Sequence, residues 1–134
     1  MSVFDTMRIA ASGLTAERFR MYVAAGNLAN SRSTRSTTGT IYQPVAPIFE
    51  SMTMSADGAQ GVAAVGVANI GGAPIRVYDP THPDADANGF VSYPDVDAAT
   101  QMTDLMGAAR SYSMNATVTS AAKQTALDAI DIGR

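Results

Sequence analysis

Apolar residues recur at steps of three and four along the first 30 residues of the chain. The members of this N-terminal stripe are Phe4, Met7, Ala11, Leu14, Met21, Ala25 and Leu28, with Arg18 at the one position that interrupts it. Such spacing is typical of the apolar seam of a coiled coil. The stripe therefore predicts a long helix, and the sequence Asn27-Leu28-Ala29-Asn30 predicts its end, because Asn readily adopts the conformations of a helix terminus.

A second, looser stripe follows Pro94. The members of this C-terminal stripe are Met102, Ala109, Tyr112, Ala116, Leu127 and Ile130, with Leu105 or Met106 and Lys123 at the positions between. The pattern predicts a helix that runs toward Gly133, with Asp95 and Asp97 in its first turn, where negative charge suits the helix dipole. At 1.5 Å per residue each terminal helix would be roughly 40 to 55 Å long, which is too long for a compact domain.

The sequence between these helices predicts short strands. The expected elements are an extended edge strand or arm over 41–50, a polar loop over 52–61, strands over 62–70 and 75–78, and one more strand over 90–93. Pro44 and Pro47 restrict the first strand to an edge. Gly71-Gly72 predicts a tight hairpin between the two central strands.

These elements predict an α+β fold. Residues 1–35 and 96–134 would form a discontinuous axial domain of coiled-coil type, and residues 36–95 a small β-rich middle insertion. With some 60 of 134 residues in the terminal helices, little remains for a core or a large catalytic cleft. The stripes are then predicted to contact neighbouring subunits.

Composition narrows the functional classes. The net charge of −3 argues against nucleic-acid binding, yet residues 1–35 carry five Arg against Asp5 and Glu17. This polarity suits contacts between unlike ends of adjacent subunits. The chain has no Cys. It also lacks the apolar run of a membrane span and the pattern of a cleavable signal peptide, so we expect any export to use another route.

One motif suggests a metal site. Positions 1, 3, 5, 6 and 12 of a calcium-binding EF-hand loop are matched by Asp84, Asp86, Asn88, Gly89 and Asp95. Pro80 and Pro83 preclude the entering helix, and the last ligand is Asp where Glu is usual. We therefore favour a polar turn that reverses the chain at Asn88-Gly89. A small calcium-binding interaction module centred on residues 84–95 remains the alternative.

Catalysis has little support in the sequence. His82 is the only histidine and lies between two prolines, so a hydrolase would have to be built around it without a recognisable nucleophile or acid partner. The Gly-rich stretches lack the spacing of a phosphate-binding loop. We predict no enzyme activity, no cofactor and no small-molecule substrate.

A family resemblance is more specific than any of these motifs. The segments that carry it are 11–16 (ASGLTA), Asn27-Leu28-Ala29-Asn30, 77–94 and parts of the C-terminal helix. Together they resemble the FlgC family, the proximal-rod subunits of the bacterial flagellar basal body. Asn27, Asn30, Asn88 and Gly89 lie in its motifs.

The resemblance implies a structural subunit of the flagellar rod, which crosses the periplasm and transmits motor torque for motility. It implies export through the flagellar type III apparatus and self-assembly with copies of itself, with other rod proteins, and with ring and adaptor components of the basal body. The stripes agree with this, because terminal helices that associate as coiled coils would join adjacent subunits.

Overall fold

Two long helices flank four strands in the computed structural model, which describes residues 2–34, 39–55 and 58–133. The elements, in chain order, are α1 (Val3–Asn30), β1 (Val45–Thr53), β2 (Gln60–Asn69), β3 (Ile75–Tyr78), β4 (Phe90–Tyr93) and α2 (Ala98–Ile132). This arrangement confirms the predicted α+β fold with helical ends and a β-rich middle. None of the described helices is both long and apolar enough to span a bilayer.

Helix α1 begins with a capping box. The hydroxyl of Ser2 accepts a hydrogen bond from the Asp5 amide at 3.2 Å, and the Asp5 carboxylate accepts one from the Ser2 amide at 2.8 Å. The hydrogen bond from the Ser2 backbone holds the pKa of Asp5 below its usual value. At the other end, the Asn30 side chain donates to the Gly26 carbonyl at 2.8 Å. The end of α1 at Asn30 agrees with the prediction.

Helix α2 starts later than predicted. Asp97 is its N-cap and accepts a hydrogen bond from the Ala99 amide at 3.1 Å, so neither Asp95 nor Asp97 lies in the first turn. The short carboxylate of Asp reaches the free amides of a first turn from the capping position just outside it. Hydrogen bonds from Thr100 and then Ala99 hold the pKa of Asp97 below its usual value.

The two helices pack side by side as an antiparallel pair. Gly13 lies against Asn115, whose side-chain nitrogen would be 2.7 Å from a Cβ at Gly13. Thr6 and Ala122 line one groove farther along the pair. The buried apolar residues of the two helices are all small or medium in size: Ala10, Ala16, Val23, Ala24 and Ala108. Close approach of the backbones therefore replaces large side chains in this seam.

Strands β1 and β2 form an antiparallel hairpin that packs on α1. The register pairs Val45 with Asn69 and Thr53 with Gln60, with an irregularity between Ile48 and Phe49. β1 therefore extends into the predicted polar loop of residues 52–61, and β2 already begins at Gln60, so this boundary was wrong at both ends. The hairpin is fastened to α1 where the Val62 amide donates to the Ser12 hydroxyl at 3.1 Å.

The predicted hairpin at Gly71-Gly72 is wrong. β2 pairs with β1, and β3 pairs with β4 in a separate antiparallel sheet that joins Ile75 to Tyr93. A two-residue hairpin turn needs positive φ angles, and neither Gly71 nor Gly72 has one. The Gly71 amide instead donates to the Asn69 side chain at 2.9 Å, which directs the chain away from β2.

The turn between β3 and β4 confirms the predicted reversal at Asn88-Gly89. Gly89 has a φ of 79°, and its amide donates to the Asp86 carbonyl at 2.9 Å. A Cβ at this position would lie 2.9 Å from the Tyr78 ring and 3.2 Å from Pro80. Both the backbone conformation and the space therefore require Gly.

We predict opposite effects for alanine at two glycines. Gly89→Ala should lower the free energy of unfolding by about 1 to 2 kcal/mol, because an L-residue is strained at positive φ. Gly26→Ala should raise it by up to about 1 kcal/mol, because Ala favours the helix interior and nothing lies within 4 Å of the new Cβ. Urea denaturation of the purified chain measures both, and equal effects would contradict the assignment of the turn.

Candidate assembly surfaces and the polar junction between helices and hairpin

The Asn27 side chain forms the polar junction of the molecule, together with Tyr42, Val45 and Gln101. Its amide nitrogen donates to the Val45 carbonyl at 2.8 Å and to the Gln101 side chain at 2.9 Å. Its oxygen accepts hydrogen bonds from the Tyr42 hydroxyl at 2.8 Å and from the Val45 amide at 3.1 Å. Asn27 is only 1% exposed, and every hydrogen-bonding position of its amide is filled.

This junction ties three elements together. Asn27 belongs to α1, Gln101 to the first turn of α2, and Val45 opens β1. By bonding both the amide and the carbonyl of Val45, the Asn27 side chain occupies the place of a neighbouring strand. Partial burial raises the pKa of Tyr42. The junction thus determines where the hairpin leaves the helix pair.

The two asparagines of the motif have different roles. Asn30 only closes α1 through its bond to the Gly26 carbonyl, as predicted for a helix stop. Asn27 lies within the last turns of α1 and faces inward. Sequence reasoning assigned both to the helix end and missed the junction, because nothing local marks an Asn whose partner is 74 positions away.

The N-terminal stripe is only partly covered within the chain. Phe4, Ala11 and Ala25 are exposed, and Met7, Leu14, Met21 and Leu28 are half-buried. The fully buried positions of α1 are different ones: Asp5, Ala10, Ala16, Val23, Ala24 and Asn27. The larger apolar side chains of this stripe are therefore partly exposed to solvent.

The C-terminal stripe is even more open. Met102, Ala109, Tyr112, Leu127 and Ile130 are exposed, and Ala116 is half-buried. The buried residues of α2 are Gln101 and Ala108. They lie about a quarter turn around the helix from the stripe. Contiguous exposed apolar surface usually marks a binding surface. The use of both stripes as subunit interfaces stays a prediction.

The strands add further apolar surface. The exposed large side chains of the two sheets are Ile48, Phe49, Met52, Val65, Val67, Ile75, Val77, Tyr78 and Phe90. Val91 is the largest apolar side chain that is fully buried among the described residues. The core of the described residues is therefore small, and much apolar surface stays exposed in the single chain.

The loop of the alternative calcium hypothesis does not bring its carboxylates together as a metal site. Asp86 accepts hydrogen bonds from the amides of Asn88 and Phe90, pairs with Arg76, and has a pKa held below its usual value chiefly by the Phe90 amide. Asp84 accepts a hydrogen bond from the Thr34 hydroxyl at 2.7 Å. Within the described residues, no three acidic or imidazole groups come together to hold a metal. The contacts of this loop are those of a structural turn.

His82 takes part in the same loop. Its Nδ1 accepts a hydrogen bond from the Asp84 amide at 3.0 Å. Its ring lies edge-on to the Tyr93 ring, with 6.4 Å between the ring centroids. The imidazole therefore organises the local turn. These contacts give no support to the hydrolase hypothesis.

Comparisons with known proteins identify relatives over the whole length. Residues 87–132 match the family model described as flagellar basal body rod FlgEFG protein C-terminal. The chain is 34% identical over 134 residues to flagellar basal-body rod protein FlgC of Salmonella typhimurium, covering 100% of both chains. It is 32% identical over 152 residues to FlgC of Bacillus subtilis, again covering 100% of both. FlgC of Aquifex aeolicus is 37% identical over 117 residues, which is 86% of this chain and 85% of that one.

We predict that Asn27→Ala lowers the free energy of unfolding by about 3 kcal/mol or more, because it leaves several buried polar groups without partners. Asn30→Ala is the matched control, since it removes a single half-buried hydrogen bond and should cost about 1 kcal/mol. Urea denaturation of both variants measures the difference. Equal losses would show that the polar junction contributes no more to the free energy of unfolding than a single half-buried hydrogen bond.

Proposed function

This chain belongs to the FlgC family of flagellar basal-body rod proteins, which are structural subunits and not enzymes, and we propose that it builds the proximal rod through its exposed helix stripes. The stripes are the observation that carries this proposal. Much of both stripes is exposed or half-buried in the single chain, so the chain has apolar surface to offer to neighbouring subunits.

The energetics support such packing. Fully burying a side chain such as Leu contributes about 1.5 to 3 kcal/mol relative to leaving it in water. Leu127 is 46% exposed, so covering it adds on the order of 1 kcal/mol. A neighbour that covers several stripe residues would therefore add a large share of the stability of a small domain. Assembly and final stabilisation are then the same event.

We propose a division of labour between the two parts of the chain. Residues 1–35 and 96–134 form the axial domain, and residues 36–95 form an outer layer whose exposed strands contact further components. Torque needs a stiff connection between these parts. The polar junction at Asn27 provides one, since it bonds α1, α2 and β1 at a single buried side chain.

The proposed partners are copies of this chain, other rod proteins, the ring and adaptor components of the basal body, and the flagellar type III export apparatus. Export as an unfolded chain fits the absence of Cys, because no disulfide can form during passage. Helices whose buried residues are small are also only marginally stable until neighbouring subunits cover them.

The test of this proposal places a charge on the C-terminal stripe. Leu127 is 46% exposed, so Leu127→Asp should leave the isolated chain folded. In the assembled rod the same change would bury an unpaired carboxylate, which is strongly unfavourable. We expect the variant to be made and exported, and the cells to lack a complete rod, hook and filament and to be non-motile.

Leu14→Asp on the N-terminal stripe should have the same effect on motility. Thr103→Asp is the matched control, because Thr103 is an exposed residue of α2 about 120° around the helix from Leu127. Cells with Thr103→Asp should swim. Motile cells that carry Leu127→Asp would refute the role of the stripe, while circular dichroism and melting of each purified variant show that the fold is retained.

A further inference from the structure

The end of α2 projects beyond the start of α1. In the antiparallel pair, Val3 and Thr6 already lie beside the α2 segment that includes Ala122 and Thr125. The last turns of α2 therefore have no counterpart in α1. Leu127, Ile130 and Ile132 in this projecting end are 46%, 60% and 87% exposed.

The charge of this projecting end is unusual for a helix C-terminus. Asp128 and Asp131 lie in or next to the last turn of α2, and that turn contains no basic residue. Carboxylates are unfavourable there, because the helix dipole already places negative charge at that end. Asp128 accepts a hydrogen bond from Gln124 at 2.7 Å, and Asp131 is exposed. A cation from another molecule would stabilise both.

A groove of the opposite character lies between α1 and β2. It has a volume of about 410 Å³ and is lined by Thr15, Arg18, Phe19, Tyr22 and Ala64. Tyr22 is 77% exposed, and Arg18 is exposed without an ion pair to any described residue. The groove thus offers an apolar floor with a guanidinium beside it.

The chain cannot fill its own groove with the end of its own α2. That end lies beside Val3, whereas the groove lies 12 to 19 residues farther along α1, which is about 18 Å or more away. The complementary surface must come from another molecule. Each copy of this chain carries both the acidic apolar end and the groove with Arg18.

We propose that the projecting end of α2 docks in the α1–β2 groove of a second copy, with Leu127 and Ile130 against Phe19 and Tyr22 and with Asp131 beside Arg18. This inference rests on the proposed rod function and names one contact within it. The two surfaces differ, and head-to-tail repetition of the contact from copy to copy gives a ring or a helix. A contact of two helical turns is small, so the isolated chain should stay monomeric.

Cross-linking between two copies tests the contact directly, because the native chain has no Cys. One tagged copy carries Thr15→Cys and a differently tagged copy carries Ile130→Cys, and both are expressed together in flagellated cells. Oxidation should give the mixed dimer at a yield at least tenfold above the control, in which Thr103→Cys replaces Thr15→Cys. Equal yields in the two pairs, or no mixed dimer, would overturn the proposal.

Charge reversal provides an independent test. Asp131→Arg should not weaken the monomer, because Arg is favourable at a helix C-terminus, and its melting temperature should stay the same or rise. In cells it should lower motility and mixed-dimer yield at least tenfold, and Arg18→Glu should do the same. The double variant should recover both. The control, Arg110→Glu at another exposed arginine, should swim normally.

These outcomes separate this contact from the rod function. If Leu127→Asp abolishes motility but the double charge variant stays non-motile, the rod function stands and the proposed contact is wrong, with a different rod protein as the occupant of the groove. If Leu127→Asp cells swim, the stripe fails as an interface and the proposed contact fails with it.

Discussion

The buried amide of Asn27 is the interaction on which the rest of the structure depends. A side-chain amide in a dry environment is stable only when its donors and acceptors are all bonded, and this one is satisfied by Tyr42, Gln101 and both backbone groups of Val45. Each bond has a narrow range of geometry. One side chain therefore sets the approach of the two helices and the departure of the hairpin at the same time, which a purely apolar contact of similar area would leave free to slide.

The small residues at the contact between the two helices limit how much that contact stabilises the chain. Gly13 leaves room for the Asn115 side chain against the α1 backbone, and the fully buried apolar residues of the two helices are alanines and one valine. Small side chains contribute little apolar burial each, so they stabilise the helix pair only modestly. The larger apolar residues of both helices are half-buried or exposed. The chain thus has a defined fold with much of its apolar surface still exposed.

The sequence predicted the helices well because a period of three to four is visible locally. It did not predict which stripe faces which partner: periodicity identifies an apolar face, whereas the buried positions Ala108 and Gln101 follow from packing with residues far along the chain. The predicted pairing of the strands on either side of Gly71-Gly72 was wrong for a similar reason, because each strand pairs with a different one that local sequence does not identify. The turn at Gly89 was predictable, since Asn-Gly is a local turn signal. The role of Asn27 was not, because Tyr42, Val45 and Gln101 become its neighbours only after folding.

The two helices have unequal lengths, so the two ends of the helix pair differ. α1 has 28 residues and α2 has 35, so an antiparallel pair joined at the Asn27 end must leave about two turns of α2 uncovered at the other end. That end is acidic, and the N-terminal 35 residues carry an excess of arginine. Under the proposed contact, each copy offers one acidic end and one groove with an arginine beside it. Head-to-tail repetition of that contact from copy to copy generates rings or helical assemblies.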